Sequence, residues 1–212
     1  MMRSMTKNAV CLLGGLSILL LCLSPAFSEQ LTIDSDEQFA FAREHMEKGQ
    51  YQRAIAEFDR FIYFFPQERR VSLAQHLIGV CYLKDGQYRE AREVFSRTFR
   101  DAPDSPFAGK ALFLTGESYY QEGMFDRAAG FFGEVLNADP PSQLENAAHY
   151  RLGWIRMQEN RWQEASEDFR KVGMGDPLYP NAARLSVESL KGELLPQKDP
   201  VVAGVMAGVL PG

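Results

Sequence analysis

Cysteine is nearly missing from this chain: Cys11 and Cys22 fall within the first 28 residues, and beyond them only Cys81 remains. A single thiol closes no intramolecular disulfide, so a body starting near residue 29 is held by packing alone. Cys81 sits between Val80 and Tyr82, the setting of a small buried thiol. Histidine is equally scarce. His45, His76 and His149 share no i, i+4 spacing, which excludes the usual helix-borne metal pair. No glycine loop follows a strand and opens a helix; Gly173-Met174-Gly175-Asp176 reads as a helix stop instead. Positive charge is also in deficit. The formal charge is -5, and it becomes -7, with 21 basic against 28 acidic residues, once Arg3 and Lys7 are removed. Such a balance disfavours nucleic acid and anionic lipid surfaces. Acidic neighbours such as Asp36-Glu37 and Glu167-Asp168 read as solvated helix faces. The expectation is a protein with no catalytic residues, no metal and no cofactor.

What the chain does have is a period. Ala54, Ala91, Ala128 and Ala165 recur every 37 residues, each followed four residues later by Phe58, Phe95, Phe132 or Phe169. Pro66, Pro103, Pro140 and Pro177 keep the same register eight residues further on, and Gly49, Gly86, Gly123 and Asn160 stand five before each alanine. Ala and Phe four apart share a helix face, the small residue admitting a neighbouring helix and the ring filling the space beside it. Glycine or asparagine just past a helix closes it in the left-handed conformation. Proline prevents continuation of the second helix. Each unit therefore reads helix, turn, helix, stop.

These columns resemble the tetratricopeptide repeat family over about residues 35 to 194. The small-residue column is Ala42, Gly79, Gly116 and Gly153; the aromatic column after the turn is Tyr51, Tyr88, Phe125 and Trp162. Tyr82 and Tyr119 supply a further aromatic column, from which His45 and Arg156 depart in the outer repeats. The resemblance implies an all-α fold: a right-handed α-solenoid of four helical hairpins, about 35–71, 72–108, 109–145 and 146–182, plus a capping helix at about 181–195. The usual period is about 34, so each unit carries extra residues between its proline and the next first helix. Ser105 with Pro106, and Ser142 with Glu145, carry cap signals there. Ser35 with Gln38 repeats the signal at the first helix. These imply first helices lengthened by about one turn, similar to the repeats of the lipoprotein of the outer-membrane β-barrel assembly machine and of the periplasmic Tol–Pal cell-division coordinator.

The ends of the chain add a location. Residues 1–28 carry Arg3 and Lys7 ahead of a leucine-rich uncharged stretch that closes on Ala26-Phe27-Ser28, the pattern of a secretory signal peptide cut before Glu29. Neither Cys11 after Val10 nor Cys22 after Leu21 has the small preceding residue of a lipidation site. An exported, periplasmic protein is expected, with 29–34 as a lead-in. Residues 196–212 form a tail whose last twelve, Val201 to Gly212, are uncharged and apolar, too short to span a bilayer as a helix. This tail reads either as a disordered end or as the start of a truncated membrane segment, with membrane contact through 201–212.

Groove-facing positions of a tetratricopeptide array can be counted from the small column. They include Phe39, Arg43, His76, Phe113, Glu117, Tyr120, Tyr150 and Trp154, an aromatic and apolar set. Carboxylate clamps of the family use Lys and Asn there, which this chain lacks. The expectation is a non-catalytic scaffold holding a protein or peptide partner in that groove, in outer-membrane assembly or cell division. The alternative for the same rings is packing against neighbouring repeats. The alternative for the whole is a membrane-tethered accessory subunit docked through its tail.

Overall fold

The computed structural model describes residues 34–101 and 103–191. The expected signal peptide (1–28), most of the expected lead-in, the end of the expected capping helix (192–195) and the tail lie outside the described residues. Nine α-helices and no strand occur among those described. They are α1 (Ser35–Glu47), α2 (Tyr51–Phe64), α3 (Val71–Lys84), α4 (Tyr88–Asp101), α5 (Ala108–Gln121), α6 (Phe125–Asn137), α7 (Ser142–Gln158), α8 (Trp162–Arg170) and α9 (Tyr179–Leu190). Each helix packs on its neighbours in the chain, and the first helices of successive hairpins also touch, α3 on α5 and α5 on α7.

Turn chemistry closes every hairpin identically. Gly49, Gly86, Gly123 and Asn160 have φ of 71°, 76°, 74° and 59°. Each donates its N–H to the carbonyl three residues back, and the next residue donates to the carbonyl five back, as in Gly86 to Leu83 and Gln87 to Tyr82. This paired closure satisfies carbonyls that the helix end leaves open.

Inside the hairpin, small residues and rings meet. Ala54, Ala91, Ala128, Ala165 and the four register phenylalanines are all buried. A Cβ added at Gly79 would lie 2.5 Å from the Phe95 ring, one at Gly116 2.9 Å from Phe132, and one at Gly153 2.7 Å from Phe169. The absence of a side chain at these positions lets the ring lie against the helix backbone. In the first hairpin the same column tolerates Ala42, with Phe58 still fully buried.

The expected starts of the first helices need correction. Ser105 and Pro106 do not begin α5, which starts at Ala108 after turns in which Ser105 Oγ accepts from the Phe107 N–H and its carbonyl from Ala108. Ser142 and Glu145 form no capping box; Pro141 is the cap residue and its carbonyl receives the Glu145 N–H. At α1 the cap is Asp34, and Gln38 reaches across to the Glu57 carbonyl and carboxylate on α2. Only α7, 17 residues long, shows the additional turn; α1, α3 and α5 have 13, 14 and 14. Elsewhere the added residues form consecutive turns, as at Glu68 and Val71. Tertiary packing of the turn outweighs a local cap signal. The capping helix starts two residues earlier than expected, with Pro180 in its first turn.

Gly116→Ala is expected to destabilise the chain by about 1 to 3 kcal/mol through overpacking on Phe132. Gly130→Ala, on the open side of α6 where nothing lies within 4 Å, is expected to stabilise by up to about 1 kcal/mol. Urea denaturation of the two variants beside the parent checks both signs.

Candidate functional site

The eight residues expected along the groove divide sharply. Phe39, His76, Phe113, Glu117, Tyr150 and Trp154 are buried, at most 6 % exposed. Their partners are largely the rings of their own hairpins. Phe39 lies 5.5 Å from Phe58 and 5.2 Å from Phe61, Phe113 5.1 Å from Phe132, and Tyr150 5.7 Å and Trp154 6.3 Å from Phe169. Such edge and tilted contacts are the geometry of a core. These six do not form an open apolar lining. A ring three residues before the small column faces the same second-helix phenylalanine that the column receives. Arg43 is exposed and pairs with Glu47 at 3.4 Å. Tyr120 is half-buried, its ring 5.5 Å from Phe125 and beneath the Arg151 guanidinium at 5.1 Å.

Ionisable groups enter this packing at three places. His76 stacks on Phe107, centroids 5.1 Å apart, and its Nδ1 has no hydrogen-bond partner among the described residues. Burial, with the Lys110 charge adding to it, holds the imidazole down at about 4, so it is neutral at physiological pH. Glu117 and Arg151 form a fully buried pair between α5 and α7, at 2.6 Å and 3.0 Å. Asp168 on α8 accepts from His149 at 3.2 Å and Arg156 at 3.0 Å, with Lys171 at 3.6 Å. Burial alone would raise the Asp168 carboxyl, but those hydrogen bonds and the positive charges of Arg156 and Lys171 outweigh it and leave the group below its usual range. The buried thiol of Cys81 is pushed up to about 12, which makes it inert rather than nucleophilic. No group of three or more His, Cys, Asp or Glu placed to hold a metal occurs among the described residues. Nor is any described helix long and apolar enough to cross a membrane.

Open apolar surface lies elsewhere, at the loops joining the hairpins. A cleft of about 400 Å³ opens between the ends of α4 and α6 and the starts of α5 and α7, walled by Phe99, Leu112, Val135 and Leu144 with Pro103, Pro106, Pro140 and Pro141 at its rim. Phe99 is 45 % exposed. The groove register does not point to this cleft because its walls belong to three hairpins. The doubled prolines at 103/106 and 140/141 were the available sign.

Residues 77–143 match the family model described as a tetratricopeptide repeat. Solved structures agree over a longer span. The tetratricopeptide-like repeats of a Podosopora anserina kinesin light chain align over 82 % of this chain and 93 % of theirs, at 15 % identity and a TM-score of 0.58. MamA from Desulfovibrio magneticus RS-1, residue 41 to its end, aligns over 80 % and 95 %, at 21 % identity and 0.54. A tetratricopeptide repeat protein of Parabacteroides merdae aligns over 74 % and 59 %, at 18 % identity and 0.57. The fold is a tetratricopeptide-like repeat solenoid. No curated protein matches the chain in sequence. Tetratricopeptide arrays are in general non-catalytic scaffolds for other proteins.

His76 makes the interior pH-sensitive. Its folded value lies below that of the unfolded chain, so the unfolded chain takes up the proton first and stability falls as pH drops from about 6.5 toward 4. The loss is on the order of 3 kcal/mol. His76→Phe is expected to remove most of this slope while keeping the stack on Phe107, as measured by urea midpoints at pH 7 and pH 4.5.

Proposed function

We infer that the chain is a non-catalytic scaffold of the bacterial cell envelope that holds a segment of a partner protein. The observation that carries this reading is the apolar cleft between the second, third and fourth hairpins, with Phe99 standing open in its wall. Its volume is that of sites that take up side chains or small ligands, and an extended segment bearing an apolar anchor suits it. Arg43 and Tyr120 remain the accessible members of the groove set and extend the partner surface along the first helices. The envelope location rests on residues 1–28, with Arg3 and Lys7, an uncharged leucine-rich run and Ala26-Phe27-Ser28. A role in outer-membrane assembly or cell division is the narrower form of the proposal, by likeness of the repeats.

A membrane-tethered accessory subunit is the second reading, favoured by the uncharged run from Val201 to Gly212. Fractionation of the full chain beside one ending at Lys198 separates the two. A scaffold free in the periplasm fractionates identically in both forms and begins at Glu29 by mass; a tethered one leaves the membrane fraction on truncation.

For the partner site, Phe99→Asp is expected to abolish capture of envelope proteins with an unchanged melting temperature. Trp154→Ala is expected to cost about 3 to 5 kcal/mol of stability instead, because that ring is core. Equal capture by Phe99→Asp and the parent would move the docking surface away from the cleft.

A further inference from the structure

The pair between Glu117 and Arg151 is the most completely buried ion pair described, its side chains 0 % and 1 % exposed. Arg151 Nε donates to Glu117 Oε2 at 2.6 Å and Nη2 to Oε1 at 3.0 Å, a fork closing on a carboxylate. Gln121 donates a further hydrogen bond to Oε1 at 2.9 Å, and the Tyr120 ring lies against the guanidinium. The pair joins α5 of the third hairpin to α7 of the fourth, 34 residues apart.

The 37-residue register shows how unusual this seam is. At the seam between the second and third hairpins the same two positions hold Val80 and Leu114, both fully buried. Between the first and second they hold exposed Arg43 and buried Leu77. Between the fourth and α9 they hold Trp154 and Glu188, the latter paired with Arg184 on its own helix. Hydrocarbon is therefore accepted at this place in the array, and hydrophobic pairs of similar volume are as stable as buried ions or more so. A fully buried charge pair that occupies these positions at one seam alone is not required there for stability.

Hairpins that repeat the same packing columns carry an intrinsic ambiguity. Columns of Gly, Ala and Phe repeated in step offer the fourth hairpin alternative faces to dock on, and apolar contacts discriminate poorly among them. We propose that Glu117 and Arg151 fix the order of the array. At these register positions only the third and fourth hairpins bring a carboxylate and a guanidinium together; the Arg92–Glu122 pair between the second and third lies elsewhere and is partly exposed. A slipped pairing such as Arg151 against Val80 buries one charge alone. The device is a counterpart of the single buried polar position that sets register in a coiled coil. It concerns assembly of the scaffold and is independent of what the cleft binds.

The test uses the full chain as Glu117→Val, Arg151→Leu and both together, the double variant transplanting the neighbouring seam's residues. Each single variant is expected to unfold at lower urea than either the parent or the double variant. The double variant is expected to melt at or above the parent. Both tryptophans, Trp154 and Trp162, lie in the fourth hairpin, so two indole N–H resonances report one docking arrangement. The parent is expected to give two and the double variant more than two, or a dimer by light scattering. A double variant that is monomeric with two sharp indole signals would overturn the proposal, since order is then kept without the charges. So would one that fails to fold, since the pair would then be a source of stability.

Discussion

Everything in this solenoid depends on a phenylalanine ring lying on a helix at a place with no side chain. Phe95, Phe132 and Phe169 approach Gly79, Gly116 and Gly153 so closely that a methyl group would collide at 2.5 to 2.9 Å. That contact sets the distance between the two helices of a hairpin, and the distance in turn decides which other side chains fall between them. His76, Phe113, Tyr150 and Trp154 are buried as a consequence. The neutral imidazole and the orphaned Nδ1 of His76 follow from the same closeness.

Packing this tight was partly legible in the residues. Small and aromatic columns at i and i+4 state their own geometry, because a ring and a gap on one helix face have few other uses. The turn residues did so too: Asn160 adopts the left-handed conformation its place among glycines implies. The starts of the first helices were less legible. Ser105-Pro106 and Ser142 with Glu145 carry cap chemistry, but the chain between hairpins is bound into turns by its own carbonyls and the caps are not used. Local signals fix a helix start only where no stronger tertiary constraint acts on the same few residues.

The candidate binding face was less legible again. Counting from the small column names the positions that face inward but not how much room the next hairpin leaves there. Glu117 illustrates the difficulty: its register marks it for the groove, and only Arg151, in the next repeat, turns it into interior. The cleft at Phe99 is likewise composed by more than one hairpin, here three, with no single helix carrying its pattern. Properties of one repeat can be read along the chain, whereas properties of a seam require both sides.

Seams also govern how such a chain can lengthen. An extra 37-residue unit placed between the second and third hairpins would part Val80 from Leu114, hydrocarbon from hydrocarbon, and the partly exposed Arg92 from Glu122. Placed between the third and fourth, it would strand a buried carboxylate on one side and a guanidinium on the other. Duplication thus costs less at one joint of this molecule than at the next, because the charges parted at the first keep access to water and those at the second do not.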